Sequence, residues 1–180
     1  MFKRFIAAAA VALMFAAPAF AADSENLQLF RAVQKQVLQY SHFTIFDNVD
    51  VQVNNGAVSL TGKVTMPYKR EDIEKRVLKV AGVARVDNHL EVLPVSQFDD
   101  QLRVGIAHAL YSNPAFRGMV SMVNPPIHVI VENGHVTLDG VVLNDVDRVI
   151  ARSIAGNFPA FSIKNELKTE AEVKQELEKL

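Results

Sequence analysis

Two stretches of one chain share a frame. Residues 51–64 read VQVNNGAVSLTGKV, and residues 129–142 read VIVENGHVTLDGVV. Val51, Val53, Asn55, Gly56, Val58, Leu60, Gly62 and Val64 fall on Val129, Val131, Asn133, Gly134, Val136, Leu138, Gly140 and Val142, an offset of 78. Asn-Gly between alternating apolar runs predicts a hairpin with a two-residue type I′ turn, which needs positive φ at both positions. The register follows from the turn. Val53 faces Val58, Val51 faces Leu60 and Val49 faces Gly62. In the second copy Val131 faces Val136, Val129 faces Leu138 and Ile127 faces Gly140. Side chains alternate along a strand, so each hairpin has one apolar face and one mostly polar face. A lone hairpin is marginal in water, so other elements must cover the apolar face.

The flanks supply that cover. Phe30, Val33, Val37 and Tyr40 recur at helical spacing before the first hairpin, and Leu102, Ile106, Ala109 and Leu110 before the second. After the first hairpin Pro67 opens a helix with Ile73, Val77 and Val80 as its stripe. After the second, Asn144 is a suitable N-cap for a helix carrying Val146, Val149, Ile150 and Ile154. A last strand closes each unit. Val86, Asn88, Leu90 and Val92 share one face of the first, and Phe161, Ile163, Asn165 and Leu167 one face of the second. A helical crossover makes the second and third strands parallel. The expected fold is α+β: two tandem helix-strand-strand-helix-strand units. Each is a three-stranded mixed sheet in order 1-2-3, covered on one face by two helices. Gly62 and Gly140 sit on the central strand, where close backbone or helix approach is permitted. The expected boundaries are 26–94 and 98–169, with a short linker at Pro94–Gln97 and a charged, frayed helical tail at 170–180.

The first residues, MFKRFIAAAAVALMFAAPAFA, read as a secretory signal over 1–21. Lys3 and Arg4 precede the apolar run Phe5–Phe15, Pro18 breaks it, and Ala19-Phe20-Ala21 is a small-x-small cleavage site. Cleavage after about Ala21 leaves 17 basic against 20 acidic residues, a formal charge of −3. That balance argues against strong nonspecific binding to nucleic acid or to anionic membranes. The rest of the chain has no apolar run long enough to span a membrane. With no cysteine there is no disulfide, no thiol catalysis and no lipid-modified N-terminal cysteine. The expected product is exported, periplasmic and not a lipoprotein.

The hairpin frame, Val86-Asp87-Asn88-His89-Leu90 and Ile163-Lys164-Asn165-Glu166-Leu167 together resemble the BON domain family, in two copies over nearly the whole mature chain. The resemblance implies a non-enzymatic module associated with phospholipid surfaces and with envelope stress or integrity. It brings no catalytic residues, and no cofactor is expected. Asn55, Gly56, Asn133 and Gly134 are read as turn residues. Asn88 and Asn165 are read as buried and bonded to nearby turn backbone. His128 opposite Asp139, and Glu132 opposite His135, are read as ordinary cross-strand pairs rather than a metal site. No nucleophile elbow, phosphate loop or zincin motif occurs.

The copies differ in two informative places. Aligning the first helices at Leu38 and Leu110 gives an offset of 72, so about six extra residues precede the second hairpin. The segment 112–126, SNPAFRGMVSMVNPP, holds Phe116, Arg117, Met119 and Met122. A methionine-rich, proline-interrupted loop suits adaptable apolar contact or shallow insertion into a lipid interface. The alternative, and the simpler reading, is that it caps its own sheet. Residues 63–85 carry a local excess of basic charge, with Lys75, Arg76 and Lys79 able to meet anionic headgroups. A solvated helix face explains the same pattern. The expected partner is an anionic phospholipid surface, with an envelope protein held by an adaptor as the alternative.

Overall fold

The computed structural model describes residues 19–178. Most of the predicted signal segment therefore lies outside the described residues. The first unit consists of α1 (Ala19–Leu38), β1 (Asn48–Asn54), β2 (Ala57–Val64), α2 (Pro67–Val77) and β3 (Arg85–Val92). The second consists of α3 (Gln97–Ser112), a 3₁₀ turn (Arg117–Met119), β4 (Ile127–Glu132), β5 (His135–Val142), α4 (Asp145–Ala155), β6 (Ser162–Asn165), β7 (Lys168–Thr169) and α5 (Glu170–Leu177).

The α+β architecture matches the expectation. Sheet order is β1-β2-β3 and β4-β5-β6, with β7 also paired to β5. The first pair of each sheet is antiparallel and the second parallel. Every expected hairpin pair is present, down to Val49 opposite Gly62 and Ile127 opposite Gly140. The turns carry positive φ: Asn55 at 48° and Gly56 at 80°, Asn133 at 51° and Gly134 at 77°. Gly62 and Gly140, at φ 117° and 119°, are required by close backbone approach. A Cβ on Gly62 would lie 2.4 Å from the Asn48 carbonyl oxygen, and one on Gly140 1.9 Å from that of Pro126.

Each unit has its own core. Val33, Val37, Val58, Leu60, Val64, Ile73, Val77 and Leu90 fill the first. Leu102, Ile106, Leu110, Val129, Val131, Val136, Leu138, Ala151 and Ala155 are central to the second. Pro67 opens α2, and Asn144 caps α4 by accepting from the Asp147 N–H at 3.0 Å. Asn88 and Asn165 act alike. Asn88 Nδ2 donates to the Arg70 carbonyl at 3.0 Å, and Asn165 Nδ2 to the Arg148 carbonyl at 2.9 Å. Each is half-buried rather than buried, and ties the edge strand to a helix rather than to a turn.

Three core assignments are corrected. Val146 and Val149 are exposed, because α4 seats on its smallest residues, Ala151 and Ala155, with Ile150 and Ile154 at the flanks. Phe161 lies outside β6 and is exposed, its ring against Gly134 and 5.9 Å from that of Phe98. Val92 is more than a third exposed while Leu93 is buried, so alternation ends at the strand end. Glu170–Leu177 of the charged tail form a helix. Thr169 and Glu172 form a capping box, and Arg148 donates to Glu172 at 3.1 Å.

Candidate functional site

The units correspond with an offset that changes between elements. Asn26 Oδ1 accepts from the Asn55 N–H at 3.0 Å, and Asp99 Oδ2 from the Asn133 N–H at 2.9 Å. Helix residues playing the same part are thus 73 apart, not 72, and the turns 78 apart. The insertion between α3 and β4 is five residues, not six.

That insertion does not present Phe116 as a contact. Asn113 turns the chain: its carbonyl accepts from the N–H groups of Phe116 and Arg117, at 3.0 and 2.9 Å. Phe116 then enters the core with no exposed surface, the largest fully buried side chain among the described residues. It packs in the second core with Leu110, Ile127 and the other buried residues of that cluster. Met119 is half-buried against the same core. What remains outside is Arg117 with Val120, Met122 and Val123, the last fully exposed. Val120 and Val123 share this surface with Met122.

The basic stretch is likewise divided by folding. Lys69 is buried on Asp47 at 2.6 Å. Lys63 pairs with Glu91 and Glu132, and Arg85 with Asp87. Arg76 is a structural residue: it lies over the Tyr40 ring and donates to the Gln36 and Gln39 carbonyls, at 3.3 and 3.4 Å. Arg70, Lys75 and Lys79 stay exposed. The two candidate regions meet at the end of α1. Asn124 of the insertion donates to the Leu38 carbonyl at 2.8 Å, two residues from the carbonyl that Arg76 holds at Gln36.

Sequence patterning missed a polar junction between the units. Asp47 is fully buried and accepts from Thr44 N–H and Oγ1, Thr65 N–H and Oγ1, and Lys69 Nζ, all within 2.9 Å. Its carbonyl meets His128 Nδ1 at 2.5 Å. At the corresponding place the second unit has Pro125, so no repeat signal marked Asp47. Beside it, the Val129 N–H donates to the Ile45 carbonyl at 2.7 Å, and Ile45 and Phe46 pack on the second core. The units also approach through the polar faces of their sheets. Lys63 reaches Glu132, and Ile130, on that face of β4, is buried. Desolvation pushes the His128 imidazole below its usual pKa, against the opposing effect of the Asp47 carbonyl. His135 bonds Ser162 Oγ at 2.7 Å instead of completing a site with His128. Among the described residues no group of three potential metal ligands occurs, and no helix is long and apolar enough to cross a membrane.

Two solved structures of CdsD, a structural protein of the type III secretion system of Chlamydia trachomatis, are similar to this chain. One is 14% identical and covers 84% of this chain and 97% of that chain, at a TM-score of 0.30. The other, of the CdsD C-terminal domain, is 14% identical, with 77% and 96% covered, at a TM-score of 0.29. No curated protein matches. The BON domain family matches twice, over residues 28–94 and 99–171. With the duplicated hairpin, the parallel third strand and the edge-strand asparagine in both units, the chain belongs to the BON domain family as two tandem domains.

Proposed function

We propose that this is a non-enzymatic periplasmic protein that associates with phospholipid surfaces and serves envelope integrity or protection from osmotic stress. The observation that carries the reading is the pair of BON matches over most of the chain. BON domains are linked in general to phospholipid binding, and the family is not an enzymatic one. The contact surface is the outer side of the insertion, Arg117, Val120, Met122 and Val123, with Lys75 and Lys79 near the end of α1. Three apolar side chains, two of them already half-covered, contribute roughly 3–5 kcal/mol on entering an interface. Each exposed cation adds about 1 kcal/mol at an anionic surface. Against the cost of association, this supports weak, reversible attachment rather than anchoring.

Vesicle flotation at low salt tests the reading, with one lipid mixture anionic and one neutral. Absence of binding to both refutes it. Val123→Asp should reduce flotation on both mixtures, and Lys75→Glu with Lys79→Glu only on the anionic one. A crosslinked envelope protein captured through residues 112–126, with no flotation, favours the adaptor reading instead.

A further inference from the structure

In each hairpin, alternate residues of the first strand turn their backbone groups away from the second. Asn54 and Ala57 flank the two-residue turn as a hydrogen-bonded pair, so Val49, Val51 and Val53 point outward. Ile127, Val129 and Val131 do the same in the second sheet. There the edge is closed. Tyr111 Oη donates to the Ile127 carbonyl at 2.6 Å and accepts from its N–H at 3.1 Å. The Val129 N–H is taken by Ile45, and Arg103 donates to the Val131 carbonyl at 2.6 Å.

The first sheet lacks these covers. At the helix offset of 73, Phe30 stands where Arg103 stands and Leu38 where Tyr111 stands. Neither can hydrogen-bond through its side chain. Among the described residues, the outward groups of Val51 and Val53 have no partner. Both valines line a cleft of about 840 Å³, whose wall includes Leu27 and Phe30 of α1. Its two charged lining residues, Arg85 and Asp87, pair with each other at 3.2 Å. The rest of the lining is mostly uncharged and polar, including Asn26, Gln52, Asn54, Asn55 and Ser59. An unpaired strand edge beside a wall with both apolar and uncharged polar side chains is the arrangement that accepts an added strand of alternating character.

We propose that the β1 edge of the first unit is a docking site for an extended, uncharged segment of a partner polypeptide, with alternating apolar and polar side chains, which joins the sheet as a strand beside β1. The chemistry of the occupant is set by the site: backbone groups for Val51 and Val53, alternate apolar side chains for Phe30 and Leu27, and no net charge. The second sheet shows the same kind of edge taking peptide backbone from an apolar segment, the carbonyl of Ile45. This site is separate from the insertion, so it stands or falls independently of lipid association.

The test is amide exchange on the full chain with a short, capped peptide of alternating valine and threonine. Exchange at Val51 and Val53 should slow by at least about tenfold at saturating peptide, while Val129 stays unchanged. A fully N-methylated peptide should give no protection. Phe30→Arg, which places a guanidinium where Arg103 works in the sister unit, should abolish it. Absence of protection in the wild type overturns the proposal, as does protection that survives N-methylation or Phe30→Arg. Concentration-dependent dimerisation that protects the same amides without peptide also overturns it, since the occupant is then a second copy. If Phe30→Arg does not fold, the N-methylated peptide decides alone.

Discussion

Asp47→Ala removes the acceptor that holds one buried ammonium, two backbone N–H groups and two hydroxyls. Lys69 is 4% exposed, and its other hydrogen bond is to Thr65 Oγ1 at 2.7 Å. Losing one partner of a buried pair costs about 3–5 kcal/mol, because the remaining charge stays uncompensated. Domains are stable by roughly 5–15 kcal/mol, so the first unit should lose about a fifth of its stability or more. Lys69→Met is expected to cost less, about 1–3 kcal/mol, since the carboxylate keeps two amide and two hydroxyl donors. The distinguishing variant is the double substitution. Removing Lys69 as well should recover part of the loss of Asp47→Ala, because the orphaned charge has gone. Urea denaturation followed by far-UV circular dichroism measures all three. A double variant as unstable as Asp47→Ala, or more so, refutes the assignment of the loss to the stranded ammonium. The Val129 amide reports the same event from the second unit. Its bond to Ile45 depends on the segment that Asp47 organises, so its exchange should quicken in Asp47→Ala.

Other perturbations follow from single positions. Phe116→Ala should destabilise the second unit by about 3–5 kcal/mol in the same denaturation assay, as truncation of a buried aromatic does. Gly140→Ala should prevent native folding of the second hairpin, whereas Gly118→Ala, with open space around it, should shift the urea midpoint little; nuclear magnetic resonance spectra distinguish the two. The lowered pKa of His128 makes stability fall with acid. Above the unfolded value of about 6.5 its contribution is complete, and it is lost as pH drops through that value toward the folded one, because only the unfolded state takes up the proton. His128→Gln should flatten this part of a pH–stability curve.

The hairpins were legible because their determinants are local. Asn-Gly turns set the register, and period two then assigns Val53, Val58, Val51 and Leu60 to one face without reference to anything distant. Asn88 and Asn165 were legible as fold residues because they recur, though their helix-carbonyl partners were not. Where elements meet, the pattern failed. The same periodicity that places Ile73 correctly places Val146 and Val149 in a core, yet α4 approaches its sheet on two alanines and leaves both valines outside. Ile130 lies on the polar face of its strand and is buried by the neighbouring unit.

The candidate site shows the division most plainly. An apolar loop such as 112–126 has the same composition whether it plugs a core or meets a surface. Phe116 is wholly buried and Val123 fully exposed, a difference that composition does not carry. Charge behaves alike: Lys69, Arg76 and Lys79 are equivalent in a count, but one is buried on Asp47, one lies over Tyr40 and one is exposed. The sequence by itself determined the two units, their strand order and their registers, since these rest on contacts within a hairpin or on a repeated pattern. Only the tertiary structure decided which apolar and basic side chains remain outside, and which sheet edge is left open. Those outcomes depend on surfaces brought together from distant parts of the chain, for which no local period carries a signal.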